Sequence, residues 1–250
     1  MRTFYSDSIN PRLKKHVIDG AEARHISKVL RMGKGDMIVL MDGEGKRYEA
    51  VITDISHGKV EIFINGVYPS PTPSPVEIIL CISLIRSKPM DLVIQKTSEL
   101  GVNIIQPFYS ERSIIRIPEE RIRSRLRHWE EVAKNSAKQC GRSIPARVLN
   151  PINLNDILAQ TQNIDPLKIL LWEEEKNQSI KYVLKQAENP KMVMGIVGPE
   201  GGFTEKEAER LKKEGFIPVS LGRRILRAET AAILFVGIVQ YEHGDMGLSD

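Results

Sequence analysis

Met192-Val-Met-Gly-Ile-Val-Gly-Pro-Glu-Gly-Gly-Phe-Thr204 is the stretch on which the fold turns. Its first half is an apolar run bounded by turn residues, the pattern of a fully buried strand. The run stops at Gly198-Pro-Glu-Gly-Gly202 and passes at once into a helix start, because Thr204 and Glu207 form a capping box and Phe203 can staple to Ala208. That helix is expected to end at Gly215. Glycines here let the backbone approach a ligand and present N–H groups, and the strand ends of an open α/β sheet are where ligands usually bind. The spacing is neither that of a phosphate loop ending in Gly-Lys-Ser/Thr nor that of a G-x-G-x-x-G dinucleotide fingerprint. A tight turn of purely structural use is the plainer alternative.

Outward from this point the same alternation repeats. Strands are predicted at Val76 to Leu84, Val102 to Phe108, Arg147 to Leu149, Leu167 to Trp172, Lys191 to Val197 and Ile217 to Ser220, with helices between them. The helix Ser87 to Gly101 has Ser at its N-cap, Met90, Val93, Ile94 and Leu100 on one side, and Gly at C′. This is the pattern of an α/β domain with a mainly parallel sheet. Upstream, Tyr68-Pro-Ser-Pro-Thr-Pro-Ser-Pro75 disfavours helix interior and central strand and reads as an extended linker, which divides the chain into domains 1–70 and 71–250. Before the linker, Asp36 to Glu49, Ala50 to Ile55 and Lys59 to Asn65 are short, partly alternating segments punctuated by glycines. They predict a small β-barrel or sandwich, interrupted by one helix at about Ala21 to Met32.

Composition narrows the function classes. The chain has 250 residues, 41% hydrophobic and 27% charged, in the range of a folded globular protein. Its most apolar uncharged run, Thr230 to Tyr241, is shorter than the ~18 residues that suggest a membrane span and reads as a buried helix. Met1 to Asn10 contains charge and no apolar h-region, so no secretory signal is expected. Cys81 and Cys140 alone build neither a disulfide scaffold nor a thiolate zinc site, and His16, His25, His57, His128 and His243 have no metal-ligand spacing. The expectation is a cytoplasmic protein without a metal.

The net charge is only +4, but Arg112 to Arg147 holds ten Lys or Arg against four Glu. On a helix from about Pro118 to Cys140, Ile122, Leu126, Trp129, Ala133 and Ala137 form the apolar stripe, with Arg121, Arg125, Arg127 and Lys138 outward. Arginine presents a planar fork to phosphate oxygens. The plainer alternative is a solvated face with Glu130 and Lys134 paired at i, i+4. A second unusual loop is Ser220-Leu-Gly-Arg-Arg-Ile-Leu-Arg-Ala-Glu-Thr-Ala231, where Arg227 and Glu229 stand at the mouth of the last apolar helix. Charges there are costly unless paired with each other or functional.

Taken together, Gly198-Pro-Glu-Gly-Gly202 and Leu221-Gly-Arg-Arg-Ile-Leu-Arg-Ala-Glu-Thr-Ala231 resemble the ribosomal RNA small subunit methyltransferase E family, within the SPOUT superfamily of knotted methyltransferases. Further segments match: His25-Ile-Ser-Lys-Val-Leu-Arg31, Met90-Asp-Leu-Val-Ile-Gln-Lys-Thr-Ser-Glu-Leu-Gly-Val102, Ser110-Glu-Arg-Ser113 and Ala137-Lys-Gln-Cys-Gly-Arg142. Two positions differ from residues common in the family: Arg86-Ser87 stands for Lys-Gly, and Cys140 for Ser. The resemblance implies a PUA-like RNA-binding barrel followed by an α/β domain whose chain threads a deep trefoil knot holding S-adenosylmethionine. The implied pocket consists of Leu171, Trp172 and Glu173, then Gly198, Pro199, Glu200, Gly201 and Gly202, then Leu221, Gly222, Ile225 and Leu226. It further implies a homodimer that methylates N3 of one uridine in 16S ribosomal RNA of the small ribosomal subunit.

Alkylating uracil N3 needs that nitrogen aligned with the methyl group and its proton removed. Arg227 is therefore the candidate to stabilise the uracil anion, and Glu200 or Glu229 the candidate base. Arg12, Arg31, Arg86, Lys88, Arg112 and Arg142 are the candidate RNA contacts, each with plain surface charge as its alternative. Two other functions compete: a non-enzymatic RNA-binding or ribosome-assembly module on the same fold, and a related knotted methyltransferase acting on transfer RNA.

Overall fold

The computed structural model describes residues 1–6, 9–70, 72–161 and 165–246. Two compact units emerge: Met1–Thr72 together with Ala137–Pro145, and Pro73–Ser136 together with Ala146–Asp250. Residues 69–70 and 72–76 form neither helix nor strand, and Pro71 of the proposed linker lies outside the described residues.

The first unit holds strands β1 (Arg2–Tyr5), β2 (Lys15–Ile18), β3 (Met37–Met41), β4 (Arg47–Ser56) and β5 (Lys59–Tyr68) in one sheet of order β1-β3-β4-β5-β2. Only β1 and β3 pair in parallel. The predicted strand Asp36 to Glu49 is two strands, because Asp42 Oδ1 accepts from the N–H groups of Glu44 and Lys46 and turns the chain between them. The short edge strands β1 and β2 carry few inward residues and leave little alternation to read, although Phe4 and Ile18 join the core with Ile38, Leu40, Ile52 and Ile62. The expected helix is a short α1 (Gly20–Arg24) running into a π-turn over His25–Val29.

The second unit contains β6 (Glu77–Ser83), α2 (Ser87–Glu99), β7 (Ile104–Tyr109), α3 (Glu119–Cys140, its last turn in the first unit), β8 (Arg147–Val148), β9 (Ile152–Asn153), α4 (Leu154–Thr161), β10 (Leu167–Leu171), α5 (Ile180–Gln186), β11 (Met192–Val197), α6 (Glu205–Lys213), β12 (Ile217–Val219) and α7 (Ala228–His243). Its sheet is parallel throughout, in the order β12-β10-β11-β6-β7-β8, with β9 also on β7. The expected α/β class with a parallel sheet is therefore what the chain adopts.

Successive residues of β6 serve opposite faces, as a pleated strand requires. Ile78, Leu80 and Ile82 pack with Met90, Val93, Trp129, Val183 and Phe235 from α2, α3, α5 and α7. Ile79 and Cys81 pack with Leu154, Ile157, Ala208 and Leu211 from α4 and α6. Burial pushes the Cys81 thiol up to about 12, so it is an inert core side chain.

Helix starts and charges differ in detail from expectation. The N-cap of α2 is Arg86, not Ser87; Ser87 Oγ instead accepts from Arg125 Nη1 at 2.8 Å. Lys134 pairs with Glu131 at 3.9 Å rather than with Glu130. Lys138 does not point outward: it pairs with Glu22 at 2.6 Å. By contrast the Thr204–Glu207 capping box forms as read.

One glycine of β11 fixes how α7 lies on the sheet. A Cβ on Gly195 would overlap the Phe235 ring, which is itself fully buried. Gly195→Ala is expected to lower unfolding stability by roughly 1–3 kcal/mol through overpacking, measured by urea denaturation, with the first unit's stability unaffected.

Candidate functional site

The parallel strands β10, β11 and β12 end together at Leu171, Val197 and Val219. All three residues line a cleft of about 1100 Å³ beyond the carboxyl ends of the sheet, where ligands of open α/β sheets bind. The loops leaving these strands supply most of its remaining wall.

The loop after β11 is a closed turn. Gly202 N–H donates to Pro199 O at 3.0 Å, closing the turn. Gly202 adopts a left-handed φ of +67°, and a Cβ there would overlap the Glu173 carboxylate from the loop after β10. Only glycine fits both constraints. Gly198 packs under the Phe203 ring, which stacks with Phe108 at 6.3 Å between centroids.

The loops after β10 and β12 are stitched together. Trp172 N–H donates to Val219 O at 3.3 Å, Ser220 N–H to Gln178 O at 2.8 Å and Ile180 N–H to Ser220 O at 3.1 Å. Ser220 Oγ donates to Gly222 O and accepts from Gly222 N–H, both at 3.1 Å, holding the turn before Arg223. Lys212 stands 4.5 Å from the Trp172 ring centroid, a cation–π contact. The chain then enters α7, whose N-cap is Arg227 in extended conformation without a side-chain cap. The first turn of this helix therefore keeps backbone N–H groups without a capping side chain at the cleft wall.

The sequence-predicted residues fall as follows. Leu171, Trp172, Glu173, Gly198, Pro199, Glu200, Gly202, Leu221, Gly222, Ile225 and Leu226 line the cleft, as do Arg227 and Glu229. Gly201 does not line it; it lies in the same turn, under the Arg112 side chain. Ile225 is 87% exposed, so its side chain lies at the rim, whereas Leu226 packs against the core. No ion pair joins Arg227 to Glu229 among the described residues, which removes the mutual-pairing explanation for charges at this helix mouth. Glu200 Oε1 accepts from the Arg86 backbone N–H at 3.4 Å, and Arg86 also lines the cleft.

Of the other predicted RNA contacts, Arg12, Arg31, Lys88 and Arg112 are exposed and Arg142 is half-buried. Arg12, Arg31 and Arg142 belong to the first unit; Arg86, Lys88 and Arg112 belong to the second. Arg112 donates to Gly201 O at 2.9 Å. Sequence reading did not single out Arg223, Arg224, Glu175, Lys176, Asn177 and Ser179, all of which line the cleft. The first two lie inside the loop already identified, and the other four lie between Glu174 and Ile180, just past Trp172-Glu173. Their composition is ordinary, and only the topology brings them to the wall. Among the described residues no cluster of His, Cys, Asp or Glu is arranged to hold a metal ion, and no helix is long and apolar enough to cross a membrane.

Comparison with known proteins places this geometry in a family. Residues 72–240 match the model of an RNA methyltransferase domain and residues 18–65 that of an RNA methyltransferase PUA domain. The ribosomal RNA small subunit methyltransferase E of Mesomycoplasma hyopneumoniae is 36% identical over 64% of this chain and 67% of its own length. That of Buchnera aphidicola from Acyrthosiphon pisum is 31% identical over 90% and 87%. The crystal structure of the Neisseria gonorrhoeae protein of this name, bound to S-adenosyl methionine, superposes with a TM-score of 0.87 at 32% identity, covering 98% of this chain and 99% of that one.

The close approach at Gly202 gives a direct test of how the cleft is built. Gly202→Ala is expected to destabilise the protein by roughly 1–3 kcal/mol from backbone strain and overlap, read by thermal unfolding. Glu173→Ala in the same chain should recover part of that loss by opening the space the new methyl needs.

Proposed function

The chain belongs to the ribosomal RNA small subunit methyltransferase E family, and from that premise we propose that it transfers a methyl group from S-adenosylmethionine to N3 of one uridine in 16S ribosomal RNA. The observation that carries the reading is the convergence of the loops after β10, β11 and β12 on one cleft at the strand ends. The cleft suits the cofactor: apolar Leu171, Val197, Val219 and Leu226 offer a wall for an adenine, and the glycine turn at Gly198–Gly202 lets backbone come close to a ligand. Leu171 to Glu173, Gly198 to Gly202 and Leu221 to Leu226 are the residues that would hold it. When bound, S-adenosylmethionine supplies an electrophilic methyl group on a sulfonium sulfur. The deep trefoil knot belongs to the same reading, supported by membership of the family.

The protein's own groups then have two tasks: to remove the N3 proton and to stabilise the uracil anion that results. Arg227, with no acidic partner among the described residues, is the anion stabiliser. Glu200 is engaged with the Arg86 N–H and serves as an anchor between loops. Glu229, in the first turn of α7 and on the cleft wall, is therefore the base that accepts the N3 proton.

RNA is held by Arg12, Arg31 and Arg142 of the first unit and, in the second, by Lys88, by Arg86 on the cleft wall and by the exposed arginines of α3. Two copies associate through the neighbouring faces of α2 and α7, a placement supported by the exposed apolar side chains of Leu92, Leu234 and Tyr241. The cytoplasm, where ribosomal subunits are made, is the place of action.

The reading is tested by mapping modified uridines in small-subunit RNA from cells lacking this protein. One N3-methyluridine is expected to disappear and to return on supplying the wild-type chain; a retained full set of modifications refutes the activity. Glu229→Gln is expected to lower turnover by about 10²-fold or more and to abolish the acid limb of the pH–rate profile, whereas Glu200→Gln keeps that limb. Neutralising Arg12, Arg31 or Lys88 singly should reduce the salt slope of RNA binding by about one unit, measured by filter binding over a range of ionic strength.

A further inference from the structure

Three serine hydroxyls form a closed buried ring at the ends of β6 and β7. Ser83 Oγ lies 2.9 Å from Ser110 Oγ and 2.7 Å from Ser113 Oγ, and Ser110 and Ser113 are 2.9 Å apart. Ser83 and Ser110 are 0% and 2% exposed. Buried hydroxyls are costly unless hydrogen-bonded, and a ring satisfies all three at once. The Ser110 N–H also donates to Ser113 Oγ at 3.0 Å, so both ends of the Ser110 to Ser113 turn are fixed. The direction of Glu111 and Arg112, which lie between them, is fixed with them.

Both intervening residues reach the loop after β11. The Glu111 N–H donates to Glu207 Oε1 at 2.8 Å, while Glu207 Oε2 accepts from the Thr204 N–H at 3.0 Å. Glu207 is only 1% exposed, and its two oxygens join the turn after β7 to the start of α6. Arg112 Nη1 donates to Gly201 O at 2.9 Å and to Phe203 O at 3.4 Å. Its Cβ lies 3.7 Å from where a Gly201 Cβ would stand, so the arginine stem covers the turn that its guanidinium holds. Hydrogen bonds from a charged donor are about twice as strong as neutral ones.

We propose that Arg112, aimed by the Ser83–Ser110–Ser113 ring, is a positioning residue that fixes the Gly198–Phe203 loop of the cleft, rather than an RNA phosphate ligand. The inference deepens the cofactor reading above and rests on it for its consequence in binding, but the loop's rigidity is a property of the protein alone. The guanidinium holds two carbonyls of the loop, Gly201 O and Phe203 O, on one donor group. The same turn is closed from within by the Gly202 N–H, which donates to Pro199 O at 3.0 Å. A ligand binding this turn does not meet the entropic cost of ordering it.

Hydrogen exchange followed by mass spectrometry on the ligand-free, full-length protein tests this. Arg112→Ala should speed exchange of the peptide spanning residues 197–204 by about tenfold, with exchange in β3, β4 and β5 unchanged. Arg112→Lys, which retains one cationic donor, should restore much of the protection, and Ser113→Ala should reproduce the loosening without touching the guanidinium. In calorimetric titrations Arg112→Ala should weaken S-adenosylmethionine binding about tenfold while leaving the salt slope of RNA binding as in wild type. Unchanged loop exchange in Arg112→Ala overturns the proposal. So does a salt slope reduced by about one unit with cofactor affinity intact, the behaviour of a phosphate ligand. A wild-type chain that binds no S-adenosylmethionine refutes the cofactor reading instead, and the exchange result still decides the role of Arg112.

Discussion

The left-handed backbone of Gly202 lies against the Glu173 carboxylate, closer than any residue with a side chain could approach. That contact brings the loop after β11 onto the loop after β10, and the latter is tied to the loop after β12 through Trp172, Gln178 and Ile180. The three loops that wall the cleft are thus in mutual contact, with the left-handed φ of Gly202 as the fixed point of the turn. The rest of the second unit supports it: the parallel register of β10, β11 and β12 brings their ends level, and α7 is seated over Gly195 so that Arg227 and Glu229 open at the cleft.

Charge is distributed to match. The cleft wall near the sheet is apolar, its cations are Arg86, Lys176, Arg223, Arg224 and Arg227, and the densest basic stretch lies along α3 and its flanks. Several of the basic residues counted from sequence have intramolecular work: Lys138 with Glu22, Arg125 with Ser87, Arg112 with Gly201. A net charge of +4 thus conceals both a cationic surface and a set of arginines and lysines that fasten the fold.

What could be read from sequence follows from the range of each interaction. The capping box at Thr204 and Glu207, the buried strand before it and the parallel α/β class are local or periodic features, and they are present in the structure as read. The glycine turn was also legible, because Gly-Pro-Glu-Gly-Gly has few other uses. The N-cap of α2 was misplaced because Ser87 is bonded by Arg125 from a distant helix, which no local pattern encodes. The walls contributed by Glu175 to Ser179, and the serine ring that aims Arg112, depend on strand order and on partners far apart in the chain. β1 and β2 escaped notice because four residues on a sheet edge leave little alternation to detect.

The central claim is that the converging loops form a cofactor site, and calorimetric titration of the intact protein with S-adenosylmethionine addresses it most directly. The account predicts saturable binding at one site per chain, lost when bulk is introduced at Gly222, which lines the cleft and whose Cβ position meets no other atom of the protein. A titration showing no binding, or binding indifferent to that change, would contradict it.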